Sequence, residues 1–163
     1  MAKTVKTNAA RQLDRLKVPY RLVSYEVDLQ DLSAQAAASK LGRPVEEIFK
    51  TLVARGERTG PCFAVLSGPD ELDLKALARC TKDRRITLVP LKEVQNLTGY
   101  VRGGVTVFGA KKPLPVFVDQ AIEIHPEISV SAGQRGLQLC MRPQDFIQAS
   151  RATVAKITRT SLE

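Results

Sequence analysis

A lysine at the entrance to an apolar strand is the first residue whose position would suit chemistry. Lys50 lies between the segment EEIF and the segment TLVAR, with apolar residues on both sides. A lysine in such a place packs its stem and points its ammonium into a cleft, where it binds a carbonyl or phosphate oxygen as a point charge. The alternative is a solvated surface lysine, which describes most of the lysines in this chain.

A glycine-rich segment, TGYVRGG, offers a second candidate site. Its adjacent glycines, Gly103 and Gly104, allow the backbone to approach a ligand closely and to present N–H groups to it. Neither of the phosphate-loop patterns GxGxxG and GxxxxGK accompanies them, so a standard nucleotide-binding loop is not predicted. The alternative interpretation is a bend in a β-sheet.

A third candidate is the turn in VSAGQRG. Ser131 contributes a hydroxyl, Gly133 tolerates a positive φ, and Arg135 presents a planar set of donors. A plain hairpin turn is the alternative. No acid–base partner lies near Ser131 in the sequence, so a Ser-His-Asp triad is not expected.

The cysteines and the histidine are too scattered to predict a metal site. Cys62, Cys80 and Cys140 are far apart, no CxxC pair occurs, and His125 is the only histidine. A zinc site requires about four clustered ligands, so neither a metal nor another cofactor is predicted. Cys62 and Cys140 lie in apolar runs and are interpreted as small buried hydrophobic residues.

Length favours one globular domain, residues 1–163, and the charge fits either a polyanionic partner or a basic protein that has none. The chain has 163 residues and a net charge of +8, a surplus that attracts nucleic acid. Aromatic residues make up only 5% and tryptophan is absent, which argues against a stacking platform for single strands. No apolar run approaches the roughly 20 residues of a membrane helix, and a cytoplasmic location is expected.

The pattern of elements predicts an α+β fold with a mixed, curved, barrel-like β-sheet and flanking helices. KTLVAR and CFAVLS, joined by a glycine-rich turn, are typical of a hairpin, and VTVFG, PVFVD and AIEIHP are interpreted as further short strands. The helices of the first half do not alternate regularly with the strands, which disfavours a doubly wound sheet. Glycines in closely spaced strands would allow such a sheet to bend.

Taken together, FKTL, TGYxxGG and VSxGxRG resemble the YbaK/EbsC family, the free-standing relatives of the editing domain of prolyl-tRNA synthetases. The resemblance covers nearly the whole chain and implies a mixed α+β fold and hydrolysis of the ester of a mischarged tRNA, most often Cys-tRNA(Pro). By this resemblance Lys50 is the essential lysine, Gly103 and Ser131 line its pocket with Tyr25, and two residues flank the lysine. The flanking residues are Phe49 and Thr51.

The resemblance also implies catalysis assisted by the substrate and an association with prolyl-tRNA synthetase. Three residues depart from the family pattern beside the motifs: Val107, Ala132 and Gln138. They leave two alternatives open. One is a deacylase for another small aminoacyl-tRNA such as Ala-tRNA(Pro), and the other is a non-catalytic module that binds tRNA or a synthetase.

Overall fold

The computed structural model describes residues 6–159, in which five α-helices and ten β-strands alternate irregularly. The helices are α1 (Asn8–Arg15), α2 (Ala34–Leu41), α3 (Leu74–Thr81), α4 (Leu91–Thr98) and α5 (Pro143–Ser150). The strands are β1 (Arg21–Ser24), β2 (Phe49–Gly56), β3 (Gly60–Ser67), β4 (Glu71–Leu72), β5 (Ile86–Leu88), β6 (Val116–Asp119), β7 (Ile128–Ser131), β8 (Leu137–Met141), β9 (Thr153–Ala155) and β10 (Thr158–Arg159).

The strands form three sheets, of which the largest is mixed. Its order is β5-β2-β3-β6-β9: β2 runs antiparallel to β5 and β3, whereas β6 runs parallel to β3 and β9. A second sheet, β1-β8-β7, is wholly antiparallel, and β10 pairs with β4. The predicted α+β fold with a mixed sheet, and the hairpin between KTLVAR and CFAVLS, are therefore confirmed.

A single parallel bridge joins the two larger sheets. Ile48, directly before β2, pairs with Ser129 in β7. Side chains two residues apart lie on the same side of an extended strand. Lys50 and Ser131, each two residues beyond the bridge, are therefore directed to the same side of the junction.

Local capping signals define most of the helix ends. The Thr7 hydroxyl accepts a hydrogen bond from the third residue of α1, and the Ser33 hydroxyl does the same for α2. Gly42 and Gly99 end α2 and α4 in the left-handed conformation. These caps agree with the sequence, because small hydroxyl residues at the start and glycine at the end satisfy free backbone groups.

The predicted strand in VTVFG is wrong, and the glycines around it do not bend a sheet. The segment 99–115 contains no strand. Two of its backbone groups bond to side chains instead: the Tyr100 hydroxyl donates to the Phe108 carbonyl at 2.6 Å, and the Gln12 side chain accepts from the Gly109 N–H. Gly109 has a φ of +65° and lies against the backbone at the start of α1, where a side chain would not fit.

AIEIHP is a short 3-10 helix, Gln120–Ile124, rather than a strand. The Asp119 carboxylate caps it by accepting from the Ala121 N–H at 3.0 Å. Ile124, which the alternating pattern would bury, is 78% exposed. The alternation of apolar and polar residues is too short to outweigh the helix cap that Asp119 provides.

The core lies on both faces of the largest sheet. One part gathers the fully buried rings of Phe49, Phe63, Phe108 and Phe146 beneath α1 and α5. The other part lies under α3 and includes Cys62, whose thiol pKa is raised to about 11 by burial. Cys62 and Cys140 are 3% and 1% exposed, which confirms their interpretation as small hydrophobic core residues.

Asp119 ties the last strands to the sheet, and its removal is expected to destabilise the fold. Its carboxylate is 2% exposed and accepts from the Ile157 N–H at 2.9 Å and the Thr158 hydroxyl at 3.0 Å. Asp119→Ala leaves these buried donors without an acceptor, so the free energy of unfolding should fall by about 2 kcal/mol or more. Urea denaturation measures the change.

Glu71→Ala is the matched control for this experiment. Glu71 pairs with Arg159 at 3.5 Å, and both side chains are more than half exposed. An exposed ion pair contributes about 1 kcal/mol or less. Equal losses for Asp119→Ala and Glu71→Ala would contradict the role given to Asp119.

Candidate functional site

A cleft of about 460 Å³ opens beside the junction of the two larger sheets. This volume is in the range of small-molecule sites. Strand β2 supplies one wall, the β7–β8 hairpin and the glycine-rich loop supply another, and the start of α2 and the segment after β5 complete the rim. Its wall includes Tyr25, Ser33, Phe49, Lys50, Thr51, Leu88, Leu91, Arg102, Gly103, Ser131 and Gln138.

Lys50 holds its ammonium in this cleft, anchored by backbone. The Nζ atom donates to the carbonyl oxygens of Gly68 and Asp70 at 2.9 and 2.8 Å. An ammonium has three N–H donors, so one remains for a ligand. The side chain is only half-buried, which keeps this donor within reach of a molecule in the cleft.

Burial is the main influence on the charge of Lys50. It lowers the pKa of the ammonium below the ordinary value, while the nearby Asp70 and Glu71 carboxylates act in the opposite direction. Desolvation disfavours the charged form of an amine, and neighbouring negative charge favours it. The Lys50 ammonium is therefore poorly hydrated, and it interacts strongly with an anionic or polarised oxygen.

Ser131 presents its hydroxyl to the cleft in a fixed orientation. Its Oγ accepts from the Gly133 N–H at 3.1 Å, so its own hydrogen remains for a ligand. The ladder partner of Ser131 is Gln138, whose Oε1 accepts from the buried Ser129 hydroxyl at 2.8 Å. This bond holds the side chain of Gln138, which also lines the cleft.

The glycine-rich loop contributes a free backbone donor at Gly103. The Gly104 N–H donates to the Val101 carbonyl at 2.8 Å and closes a turn. Within residues 6–159 the Gly103 N–H has no acceptor, and Gly103 is exposed at the mouth of the cleft with a φ of +85°. Such a donor suits an oxygen that gains negative charge during a reaction.

Three residues predicted from the sequence are not part of the cleft wall but adjoin and support residues that line it. Gly133 holds the Ser131 hydroxyl, and Arg135 donates from Nε to the Arg102 carbonyl at 2.7 Å. Gly104 packs against the backbone of residue 134, where an added Cβ would come within 3.1 Å. Their predicted contact with a ligand stays a prediction.

The other predicted residues come together in the cleft. Tyr25 is half-buried, and its backbone N–H donates to the Gly136 carbonyl at 2.9 Å. Phe49 is 2% exposed and packs edge-on against His125 at a centroid distance of 5.7 Å, so it forms the floor. Thr51 is half-buried in the wall one residue beyond Lys50.

Sequence reasoning missed the apolar rim and one cation. Leu88 and Leu91 are 50% and 62% exposed at the mouth of the cleft, and Arg102 lines the same mouth. Two leucines flanking Pro90 at a strand–helix boundary were the available signal. A leucine left in water beside a cleft indicates a surface that a ligand would cover.

Within the described residues, the cleft wall carries two cations, and the Asp70 and Glu71 carboxylates that act on Lys50 are not among its residues. Lys50 and Arg102 are its cations, and no Asp or Glu is among the wall residues in the described part of the chain. Among residues 6–159, no group of three His, Cys, Asp or Glu side chains is arranged to hold a metal ion, and no helix is long and apolar enough to cross a membrane. The wall therefore favours an anionic or strongly polar ligand.

Comparison with known proteins relates the chain to enzymes of translation. Residues 31–149 match the family model described as the aminoacyl-tRNA editing domain. The chain is 39% identical over 153 residues to EbsC of Enterococcus faecalis, a protein named provisionally as a Cys-tRNA(Pro)/Cys-tRNA(Cys) deacylase. That match covers 94% of this chain and 93% of EbsC.

Two solved structures share the fold over their whole length. One, described provisionally as a trans-editing enzyme for prolyl tRNA synthetase, superposes with a TM-score of 0.82 at 26% identity over 96% of this chain and 99% of its own. The other, the hypothetical protein APE2540, has a TM-score of 0.86 at 22% identity over 94% and 100% of the two chains. The second likeness concerns the fold alone.

Tyr100 holds the glycine-rich loop against the β7–β8 hairpin, and its hydroxyl is expected to matter for that loop. Tyr100 is 8% exposed, and its Oη donates to the Phe108 carbonyl at 2.6 Å. Tyr100→Phe leaves this carbonyl unsatisfied, so the free energy of unfolding should fall by about 1 kcal/mol. Hydrogen exchange should also accelerate within residues 99–109.

Tyr20→Phe is the control, because the Tyr20 hydroxyl donates to Asp14 at 2.8 Å on the exposed surface. Its loss should cost less than about 0.5 kcal/mol. If hydrogen exchange in the loop were as slow in Tyr100→Phe as in Tyr20→Phe, Tyr100 would not hold the loop.

Proposed function

The chain belongs to the aminoacyl-tRNA editing domain family, and from this premise we propose that it deacylates mischarged tRNA in trans, with Cys-tRNA(Pro) as its substrate. The observation that carries the proposal is the meeting of three groups in one cleft: the Lys50 ammonium, the Gly103 N–H and the Ser131 hydroxyl. Each of the three groups has a hydrogen-bond donor left for a ligand.

The proposed roles follow from the needs of ester hydrolysis. Charge develops on the carbonyl oxygen as the ester is attacked, and fixed donors stabilise it without reorganisation. We assign that oxygen to the Gly103 N–H, and the terminal ribose to Lys50 and the Ser131 hydroxyl. Tyr25 and Thr51 bound the space left for the amino-acid side chain, and Phe49 closes its floor.

The attacking group in this proposal comes from the substrate. The cysteinyl thiol adds to its own ester carbonyl, a C–S bond forms, and the bond from that carbon to the ribose oxygen breaks. The thiol proton passes to the ribose oxygen, which restores the hydroxyl of the tRNA. The small cyclic thioester that leaves is then opened by water. For an acyl group without a thiol, a water molecule oriented by the ribose hydroxyl takes the place of sulfur.

The charge of the chain supports tRNA as the partner. Arg102 and Arg135 lie together at the mouth, linked through the Arg102 carbonyl, and neither forms an ion pair within the described residues. Together with the net charge of +8, they suit the phosphates of an acceptor end. We propose that a single domain of residues 1–163 binds that end and that association with prolyl-tRNA synthetase selects tRNA(Pro).

Deacylation of three charged tRNAs tests the proposal. Cys-tRNA(Pro) should lose its amino acid, whereas Pro-tRNA(Pro) should remain charged, and Lys50→Ala should lower the rate on Cys-tRNA(Pro) by about 100-fold or more, since a fixed donor is removed. Ala-tRNA(Pro) is the third substrate. Acid-gel or radiolabel assays under single-turnover conditions measure the rates, and circular dichroism checks that the variant is folded.

The other possible results of this assay support one of the two alternative functions or exclude Lys50. Loss of alanine alone identifies the chain as an alanyl deacylase, and unchanged charging with retained tRNA binding identifies it as a non-catalytic module. Wild-type turnover by the folded Lys50→Ala variant would remove Lys50 from the mechanism.

The two arginines at the mouth are expected to contribute to the salt dependence of tRNA binding. Arg102→Ala and Arg135→Ala should each weaken binding and reduce the slope of log Kd against log salt by about 1, because each removes one phosphate contact. Arg79→Ala is the control, since Arg79 is exposed on α3, which contributes nothing to the cleft wall. Slopes measured by filter binding that are identical for all four proteins would refute this assignment.

A further inference from the structure

The turn that follows β3 faces the ammonium of Lys50. We infer that Gly68 in this turn is a positioning residue, whose missing side chain lets the turn come close enough to orient Lys50. The inference rests on the proposed function, in which Lys50 acts on the bound ester. It extends that function to a residue outside the three sequence motifs.

The turn supplies both protein acceptors of the ammonium. Gly68 and Asp70 direct their carbonyl oxygens at Nζ from 2.9 and 2.8 Å. Two acceptors fix two of the three N–H directions, and tetrahedral geometry then fixes the third. The direction in which Lys50 meets a ligand is therefore set by the position of this turn.

Gly68 is the point at which the turn is packed most tightly. Its N–H donates to the Ile48 carbonyl at 2.7 Å, so the turn is tied to the residue that forms the bridge between the sheets. A Cβ at position 68 would lie 2.7 Å from the Ala34 Cβ and 3.1 Å from the Ile48 oxygen. No side chain fits there unless the turn, the start of α2 or both move.

The rest of the turn is also held by hydrogen bonds, so a displacement at Gly68 would move the carbonyl groups that bind Lys50. The buried Ser67 hydroxyl donates to the Glu46 carbonyl at 2.8 Å, and the Asp70 N–H donates to the Ser67 carbonyl at 3.0 Å. The charged groups facing the ammonium from this side are Asp70 and Glu71. A displaced turn would withdraw the two carbonyls and leave the cation partly unsatisfied.

The experiment is a double-mutant cycle between Gly68 and Ala34. Gly68→Ala should lower the single-turnover deacylation rate by about 10- to 100-fold with little change in tRNA affinity, since a small misplacement near the reacting atoms is enough. In an Ala34→Gly background, which removes the 2.7 Å contact, the same substitution should cost much less. Non-additivity of this kind reports a direct contact.

A second readout follows the lysine without any substrate. Acylation of Lys50 by acetic anhydride, quantified by mass spectrometry across pH, measures the pKa of its amine. Gly68→Ala should lower that pKa, because the carbonyls that favour the charged form are withdrawn. Ser67→Ala is a milder second variant of the same turn, expected to change the pKa in the same direction if Gly68→Ala does not fold.

Gly60→Ala is the control for general destabilisation. Gly60 has a φ of +80°, so alanine is strained there, yet nothing lies within 4 Å of the added Cβ and the residue is outside the cleft wall. Gly60→Ala should lower the free energy of unfolding and leave the deacylation rate and the Lys50 pKa unchanged.

The inference is overturned if Gly68→Ala leaves both the deacylation rate and the Lys50 pKa unchanged, if the loss of rate is equal with alanine and with glycine at position 34, or if Gly60→Ala has the same effects as Gly68→Ala. A wild-type protein that deacylates nothing refutes the proposed function instead, and the acylation profile still tests the positioning.

Discussion

The parallel bridge between Ile48 and Ser129 is the constraint on which the cleft depends. It places β7, the edge strand of the antiparallel sheet, beside β2, and the pairing ends after one residue pair. Beyond it the two strands separate, which leaves Lys50 and Ser131 on either side of an opening. Two side chains 81 positions apart in the sequence become neighbours because each follows the bridge by two residues, the repeat of an extended strand.

Several glycines of the chain are explained by close approach of neighbouring segments. An added Cβ would be crowded at Gly104 by the backbone of residue 134, at Gly109 by the backbone of the first residues of α1, and at Gly133 by the ring of Tyr100. Gly68 is crowded by the Ala34 side chain at the start of α2. A cleft assembled from loops requires such contacts, because loops can be fixed without a sheet ladder only where they pack closely and their polar groups find partners.

Local signals in the sequence predicted the fold class and several residues that the structure brings together in one cleft, and failed where distant segments decide the outcome. The β2–β3 hairpin, the caps at Ser33 and Gly99, and the family resemblance carried by three motifs are confirmed. The prediction for VTVFG was wrong because the Phe108 carbonyl and the Gly109 N–H bond to the side chains of Tyr100 and Gln12, which no local pattern reveals. Leu88 and Leu91 were missed for the same reason, since exposure beside a cleft is a tertiary property.

We expect the selectivity of the cleft to depend on Gln138, where the chain departs from the family pattern and which lies in the cleft wall opposite Ser131 on the β7–β8 ladder. A carboxylate at position 138 would offer negative charge to the α-ammonium of an aminoacyl group. The amide found here is neutral, and its oxygen already accepts from the Ser129 hydroxyl at 2.8 Å, so it offers no such charge. In the proposed function the acyl group lies beside the Gly103 N–H and meets no carboxylate among the wall residues that the structure describes, which favours a small side chain that accepts hydrogen bonds or carries partial negative charge. A thiol that ionises as it attacks the ester satisfies that requirement better than a methyl group does.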